Sequence, residues 1–184
     1  MSEVNFESSP IIATVRGKKH MELALESAVG VIFDLSPNLM TAKETARRAH
    51  EKGKLLFIHI DFAEGIGKDR AGLEYVKNIG VDGIISTRAV LIRQAAELGL
   101  MTVQRYFVID THSVEVTLKS LDSSQADMLE IMPGVISKVI TQLKKTVNIP
   151  IIAGGIIDNK TEIIEALKAG AAAVSTGKCE LWNI

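Results

Sequence analysis

IPIIAGGIIDNK, residues 149–160, runs from a proline region through a short apolar stretch into two glycines and then into a polar segment that opens a helix. A buried strand of a parallel sheet has this form, because both of its faces are covered and its end must turn sharply into the next helix. The segment therefore predicts one βα unit, and the rest of the chain can be searched for copies of it.

Seven further apolar runs rich in Val and Ile have the same form. They are IIATV, VIFDL, LLFIHI, GIIST, MTVQRYFV, MLEIM and AAVST. Segments with apolar residues at the three and four spacing of an amphipathic helix follow seven of the eight runs. Only GKCELWNI follows the last run, which is enough for one or two helical turns.

The repeat length favours a compact (β/α)8 TIM-type barrel with a truncated last helix. The 184 residues leave about 23 for each of eight units, close to a strand, a helix and two short loops. We predict a single barrel domain over residues 1–184. The alternative is an open doubly wound sheet, but ATVRGKKH after the first run lacks the G-x-G-x-x-G turn of that fold.

The helix exits share a residue type that suits the left-handed conformation. We expect this conformation at Gly30, Gly53, Gly80, Gly99 and Gly170, and at Asn148 in the equivalent place. Each of these residues follows a helical pattern and precedes an apolar run, which supports the repeated unit.

Composition and charge limit the classes of function. With 47% hydrophobic and 23% charged residues the chain should fold on its own. The lone Cys179 excludes an internal disulfide, and we find neither a signal peptide nor an apolar run long enough for a membrane span, so a cytoplasmic location is expected. The net charge of −1 is far from the basic balance of a dedicated nucleic-acid binder.

The ends of the seventh and eighth runs predict a phosphate site. In a (β/α)8 barrel the site lies at the carboxyl ends of the strands, and phosphate usually binds the loops after strands seven and eight. Glycines there let backbone N–H groups approach an anion closely. The predicted phosphate ligands are Gly154, Gly155, Ser175, Thr176 and Gly177. The alternative is a pair of tight turns with no ligand.

Two polar residues end the third run, LLFIHID. Strand alternation puts Phe57, His59 and Asp61 on one face, so His59 and Asp61 are expected to point into the barrel mouth. They could act as acid and base, as metal ligands or as hydrogen-bond partners of a hydroxylated ligand, and His59 could equally be a structural histidine.

Charged residues also interrupt or end other runs. Arg105 and Glu130 lie inside apolar runs, so they are expected to pair with each other or with a ligand. Arg16 and Arg88 end strands and could contact a phosphate, although Arg88 could also be an ordinary first-turn helix residue. The glycine-rich segment 63–72 is either a flap over the site or a plain connection.

The segments HIDFAEGIGKDRAG, GIISTR, QRYFVID, EIMPG, IPIIAGG and ALKAGAAAVST, with LW close behind, occur in this order from about Ile11 to Trp182. In these motifs the sequence resembles the glycerol-3-phosphate responsive antiterminator family, the regulators of glycerol uptake operons. The resemblance implies a non-enzymatic sensor that binds glycerol 3-phosphate and then acts on leader mRNA to prevent premature termination. No cofactor and no metal site are expected.

Carried over by position, the resemblance puts the phosphate on the two glycine loops. The residues expected to line the mouth are Arg16, His59, Asp61, Arg88, Arg105 and Glu130. A homo-oligomer is a further option. Relatives commonly continue past the Leu-Trp pair with a helical tail, and if that tail binds RNA, a chain ending at Ile184 is expected to sense the metabolite without full antiterminator activity.

A phosphosugar enzyme remains the alternative at this stage. A lyase, isomerase or epimerase could use His59, Asp61 or Glu130 as acid and base on the same barrel and the same phosphate loops.

Overall fold

The computed structural model describes residues 4, 6 and 9–184, and these residues form one closed barrel of parallel strands. The strands are β1 (Ile11–Val15), β2 (Val31–Asp34), β3 (Leu55–His59), β4 (Gly83–Ser86), β5 (Met101–Phe107), β6 (Met128–Met132), β7 (Ile151–Gly154) and β8 (Ala173–Thr176). The helices are α1 (Gly17–Glu26), α2 (Ala42–Glu51), α3 (Arg70–Asn78), α4 (Ala89–Glu97), α5 (Thr111–Ser124), α6 (Ser137–Lys144) and α7 (Lys160–Lys168).

The order of the strands confirms the predicted TIM-type barrel. Each strand pairs in parallel with the next, and β8 closes the ring by pairing with β1, with Val174 opposite Ile11 and Thr176 opposite Ala13. The last unit has only a 3₁₀ turn, Cys179–Leu181, where the other seven have α-helices. The eighth helix is therefore truncated, as the short final segment indicated.

Two apolar layers explain why the strands read as continuous hydrophobic runs. Alternate residues such as Ile12 and Phe57 fill the inside of the barrel, whereas their neighbours such as Ala13 and Ile58 pack under the helices. Since both faces of each strand are buried, neither face needs polar residues. Polar side chains on the inner face, such as those at the upper ends of the strands, therefore need a separate explanation.

The helix exits agree with the expected pattern at four of six positions. Gly53, Gly80, Gly99 and Gly170 have positive φ values, between 67° and 109°. The prediction was wrong for Gly30 and Asn148, which do not adopt positive φ. Their helices end earlier, at Glu26 and Lys144, so the chain has three residues in which to turn without a left-handed position.

α5 reaches the same left-handed exit with a residue that the pattern did not single out. Its C-cap is Gln125, with φ of 54°. Glycine is the usual choice for this conformation because it lacks Cβ, so the exit of α5 could not be found from glycine spacing.

The glycine-rich segment 63–72 is a packed connection. The Glu64 backbone donates to Pro37 O and accepts from Leu39 N, both at 2.9 Å, which ties the segment to the loop after β2. Ile66 is buried, and a Cβ on Gly65 would lie 3.0 Å from Leu39 Cβ. These contacts hold the segment against the loop that precedes α2, so it does not have the loose packing of a flap.

A search of the helices within residues 4, 6 and 9–184 finds none with the length and apolar character needed to cross a bilayer.

Gly83 in β4 provides a test of the barrel packing. A Cβ there would lie 2.3 Å from Phe57 Cε1 and 2.6 Å from Met101 O, so Gly83→Ala forces the barrel interior to shift. We expect a loss of about 1–3 kcal/mol in the free energy of unfolding, measured by urea denaturation. Gly30→Ala is the matched control, because no atom lies within 4 Å of its Cβ position. Equal stabilities of the two variants would contradict the packing described for β4.

Candidate functional site

A buried ion pair occupies the upper interior of the barrel. Arg105 on β5 donates from Nε to Glu130 Oε2 on β6 at 2.6 Å, and the register places the two residues directly opposite each other. The Ser175 hydroxyl on β8 donates to the other oxygen, Glu130 Oε1, at 2.6 Å. All three residues point inward because they continue the inner alternation of their strands. The predicted pairing of Arg105 with Glu130 is therefore present.

Gly154 makes this arrangement possible. A Cβ at this position would lie 2.5 Å from Glu130 Oε1 and 2.6 Å from Ser175 Oγ, so no other residue fits without displacing the pair. The lack of a side chain at Gly154 therefore leaves room for the carboxylate of Glu130 beside the backbone. Gly155 differs, since its φ of 73° places it in the left-handed region that disfavours side chains.

The guanidinium of Arg105 still has hydrogen-bonding capacity. Its terminal nitrogens have no hydrogen-bond partner within the described part of the chain, and the residue lines a cavity of about 410 Å³ above β5–β8. The floor of this cavity is formed by Arg105, Glu130 and Ser175, and its rim by Gly155, Gly177 and Lys178. A volume of this size suits a small metabolite.

Hydrogen bonds tie together the two loops that form the rim. The Thr176 hydroxyl donates to Ile157 O at 2.8 Å and accepts from Lys178 N at 3.1 Å, so it joins the loop after β7 to the loop after β8. Trp182 Nε1 donates to Thr176 O at 2.9 Å and anchors the final 3₁₀ turn. Lys178 Nζ lies 3.4 Å from Asp158 Oδ1, across the mouth of the cavity.

Ile156 in the rim has a strained backbone. Its φ of 56° is rare for a β-branched residue, and its side chain is exposed beside the cavity. Such strain costs on the order of 1–3 kcal/mol and is typical of ligand clamps. The two consecutive left-handed residues, Gly155 and Ile156, turn the backbone after β7 over the cavity edge.

His59 is buried in the barrel at the end of β3. Burial, and next the positive charge of Arg105, lower its pKa to about 4, although Asp61 acts in the opposite direction. Neither ring nitrogen has a hydrogen-bond partner among the described residues, and the ring packs against Phe62 at a centroid distance of 4.4 Å. The imidazole is therefore neutral near pH 7.

Asp61 lies beside the inward-facing His59, with its Oδ2 3.9 Å from His59 Nδ1, but it is not part of the cavity lining. β3 ends at His59 and Ile60–Phe62 forms a 3₁₀ turn, so strand alternation no longer applies at Asp61. Its carboxylate accepts from Ser86 Oγ, Thr87 N, Thr87 Oγ1 and Arg88 Nε, at 2.8–3.0 Å. Burial alone would raise the pKa of Asp61, but these hydrogen bonds outweigh it and lower the pKa.

The structure separates the predicted site residues into two groups. Gly155, Ser175, Thr176, Gly177, Arg105 and Glu130 line the cavity. Gly154, Arg16, His59, Asp61 and Arg88 are not part of its lining. Arg16 is nevertheless close enough to contribute to the lowered pKa of His59. Arg88 caps the start of α4 and pairs with Asp61, as an ordinary first-turn residue can.

Sequence reasoning did not single out seven of the residues that line the cavity, which are Thr14, Leu35, Met132, Ile156, Ile157, Asp158 and Lys178. Thr14 and Met132 follow the inner alternation of Ile12 and Glu130, so strand parity could have found both of them. Asp158 lies in a loop, and no periodic signal marks it. Within residues 4, 6 and 9–184, no three His, Cys, Asp or Glu side chains come together as metal ligands.

A closed (β/α)8 barrel with a cavity over a buried ion pair, at the carboxyl ends of its strands, defines a TIM-type barrel protein, and such barrels carry their sites at this end. Residues 11–182 match the family model described as glycerol-3-phosphate responsive antiterminator. The chain therefore belongs to the glycerol-3-phosphate responsive antiterminator family, and the resemblance seen in its motifs is confirmed.

Relatives of the chain span nearly its whole length. It is similar to a glycerol uptake operon antiterminator regulatory protein from Listeria monocytogenes, with 29% identity, 98% of each chain covered and a TM-score of 0.92. A glycerol uptake operon antiterminator-related protein from Thermotoga maritima gives 27% identity, 94% and 96% coverage and a TM-score of 0.83. The protein YgcP of Escherichia coli strain K12 is 30% identical over 177 residues, covering 96% of this chain and 93% of its own.

The buried ion pair can be tested by a double-mutant cycle. Arg105→Met or Glu130→Leu alone leaves one uncompensated charge inside the barrel, and we expect each to lower the free energy of unfolding by about 3–5 kcal/mol. The double variant removes both charges and is expected to lose much less than the sum of the two. Urea denaturation at neutral pH measures all four proteins. Additive losses would contradict the pairing.

His59 makes stability depend on pH. Unfolded histidine binds a proton near pH 6.5, whereas folded His59 resists protonation until about pH 4. Between these values the unfolded state binds more protons, so the free energy of unfolding falls as pH falls. We expect a His59 contribution of about 2 kcal/mol to be lost between about pH 7.5 and about pH 5.

The measurement compares urea denaturation of His59→Gln and His112→Gln across this pH range. His112 is exposed, so its variant should keep the full pH dependence of the parent, whereas His59→Gln should lack that part of it. An unchanged pH dependence in His59→Gln would show that His59 is not buried as described.

Proposed function

We propose that this protein is a sensor that binds glycerol 3-phosphate in the cavity above β5–β8 and, with the ligand bound, acts as an antiterminator on the leader mRNA of glycerol-utilisation operons. Membership of the glycerol-3-phosphate responsive antiterminator family supports the ligand and the role. The observation that carries the proposal is the cavity itself. Its floor carries the Arg105–Glu130 ion pair, and its rim contains Gly155 and Gly177.

The rim of the cavity suits the phosphate group. It is formed by the loops after β7 and β8, where (β/α)8 barrels usually bind phosphate. Gly155 and Gly177 let the anion come close to the backbone, and Lys178 supplies a positive charge that now faces Asp158. In the proposed complex Lys178 pairs with the phosphate instead of with Asp158, because a doubly charged anion attracts the ammonium more strongly than one carboxylate does.

The floor of the cavity suits the glycerol hydroxyls. Arg105 and Glu130 cancel each other's charge, so the floor offers hydrogen-bond donors and acceptors without a net charge. Hydroxyl groups can accept from the terminal nitrogens of Arg105 and donate to Glu130, whereas a second anionic group would disturb the pair. Glycerol 3-phosphate matches both parts of the cavity, because its anionic end suits the rim and its two hydroxyls suit the floor.

We propose a sensor in preference to a phosphosugar enzyme, because the candidate acids and bases are already engaged or lie away from the cavity. Asp61 accepts four hydrogen bonds outside the cavity lining, and both oxygens of Glu130 are bonded to Arg105 and Ser175. His59 does not line the cavity, and its pKa of about 4 makes it a weak base. These features support binding more than proton transfer.

We assign RNA binding to the exposed basic residues after β1. Arg16, Lys18 and Lys19 are exposed and follow the strand that neighbours β8 and Lys178. A cluster of this kind can contact several phosphates of a leader RNA despite the net charge of −1. Its position beside the rim brings the RNA close to the ligand cavity.

Calorimetry with glycerol 3-phosphate tests the ligand assignment. We expect Lys178→Ala to weaken binding by about tenfold, since it removes a charge-assisted contact to the phosphate. Lys160→Ala is the matched control, because Lys160 is another exposed lysine, at the start of α7 and outside the cavity lining. Absence of binding by the parent protein, or equal affinities of the two variants, would refute the assignment. A phosphosugar turnover screen with clear kcat would favour the enzyme instead.

Filter binding of leader RNA at fixed salt, with and without glycerol 3-phosphate, tests the regulatory role. We expect ligand-dependent binding that is lost in the double variant Lys18→Glu/Lys19→Glu, whose calorimetric affinity for the ligand should stay unchanged. An RNA affinity that is the same with and without glycerol 3-phosphate would contradict the proposed sensor role.

A further inference from the structure

The charged side chains that line the cavity form two pairs. Arg105 and Glu130 are in contact on the floor at 2.6 Å, and Lys178 and Asp158 face each other on the rim at 3.4 Å. The floor side chains are 4% and 0% exposed, whereas the rim side chains are 51% and 58% exposed. Separating an exposed pair costs little, but separating a buried pair leaves charges without compensation. A ligand can therefore rearrange the charges of the rim more easily than those of the floor.

The rest of the lining offers no further positive charge. Its large side chains are apolar, and they are Leu35, Met132, Ile156 and Ile157. His59 lies outside the lining and is neutral near pH 7, and Arg16 is exposed and also outside the lining. Among the described residues, an anionic group inside the cavity can therefore pair with Lys178 at the rim or with Arg105 on the floor.

Arg105 has the form of a carboxylate site that is already occupied. A guanidinium holds a carboxylate through parallel N–H donors, and Arg105 Nε donates to Glu130 Oε2. The Ser175 hydroxyl donates to Glu130 Oε1 at 2.6 Å, so both oxygens of this carboxylate are held in place. The terminal nitrogens of Arg105 have no hydrogen-bond partner within the described part of the chain. These nitrogens are the part of Arg105 that a ligand can use.

The charge of Glu130 decides which ligand groups suit those nitrogens. A ligand carboxylate beside Arg105 would also lie beside Glu130, and two carboxylates that share one buried cation leave one negative charge uncompensated. A ligand hydroxyl accepts the same hydrogen bonds from Arg105 without adding a charge. The floor therefore accepts a neutral polar group and disfavours an acidic one.

We infer that Glu130 determines ligand specificity by occupying Arg105, so that the cavity accepts a phosphorylated polyol and rejects a phosphorylated carboxylic acid of the same size. This role rests on the proposed function, because it takes the rim as the phosphate site. The matching acid is 3-phosphoglycerate, which keeps the phosphate and one hydroxyl of glycerol 3-phosphate and carries a carboxylate in place of the terminal CH₂OH group. Without the charge of Glu130, Arg105 becomes a site for that carboxylate.

Calorimetry with both ligands at neutral pH tests the role of Glu130. We expect the parent to bind glycerol 3-phosphate at least about a hundredfold more tightly than 3-phosphoglycerate. Glu130→Gln keeps the size of the side chain and can still accept from Ser175, but it releases the charge of Arg105. This variant should bind 3-phosphoglycerate at least about tenfold more tightly than the parent does.

The double variant Arg105→Gln/Glu130→Gln is the matched control. It lacks the charge of Glu130 as well, but it has no guanidinium to hold a carboxylate, so it should gain no affinity for 3-phosphoglycerate. Thermal unfolding checks that both variants are folded. It also gives a second measurement, because 3-phosphoglycerate should raise the Tm of Glu130→Gln more than that of the parent.

The outcomes separate this role of Glu130 from the proposed function. A parent that binds neither ligand contradicts the proposed function and the role of Glu130 with it. A parent that binds both ligands with affinities within about tenfold of each other keeps the proposed ligand but overturns the role of Glu130, whether or not the variants fold. A folded Glu130→Gln that gains no affinity for 3-phosphoglycerate, or a double variant that gains as much as Glu130→Gln, overturns it too.

Discussion

Two opposite charges buried in the middle of the barrel constrain the residues around them. Removing Arg105 and Glu130 from water costs several kcal/mol each, and their attraction offsets this only with close geometry and further hydrogen bonds. The 2.6 Å contact between them and the 2.6 Å bond from Ser175 supply that geometry. Gly154 follows from the same requirement, because any side chain there would displace Glu130. The glycine at the end of β7 is thus a consequence of a carboxylate on β6.

The same pair determines the electrostatics of the cavity and of its neighbour His59. The positive charge of Arg105 adds to burial in keeping the imidazole of His59 neutral, so His59 adds no positive charge beside the pair near pH 7. A floor without net charge leaves the selection of an anionic ligand to the rim, where Lys178 and the glycines lie. In the proposed complex with glycerol 3-phosphate, the hydroxyls would contact Arg105 and Glu130 on β5 and β6, and the phosphate would contact the loops after β7 and β8.

The fold could be predicted from the sequence because the same signals recur along the chain. An apolar run marks each of the eight strands, and helical spacing marks each of the seven helices. Local patterns stop being informative where regular structure ends. Asp61 was placed by an alternation that ceases at His59, and Gln125 takes a conformation usually signalled by glycine. Arg105 and Glu130 were found because they are charged residues inside apolar runs, whereas Thr14 and Met132 lie on the same inner face without that signal and were missed. The contacts of Thr176 depend on two loops that approach each other only in the folded barrel.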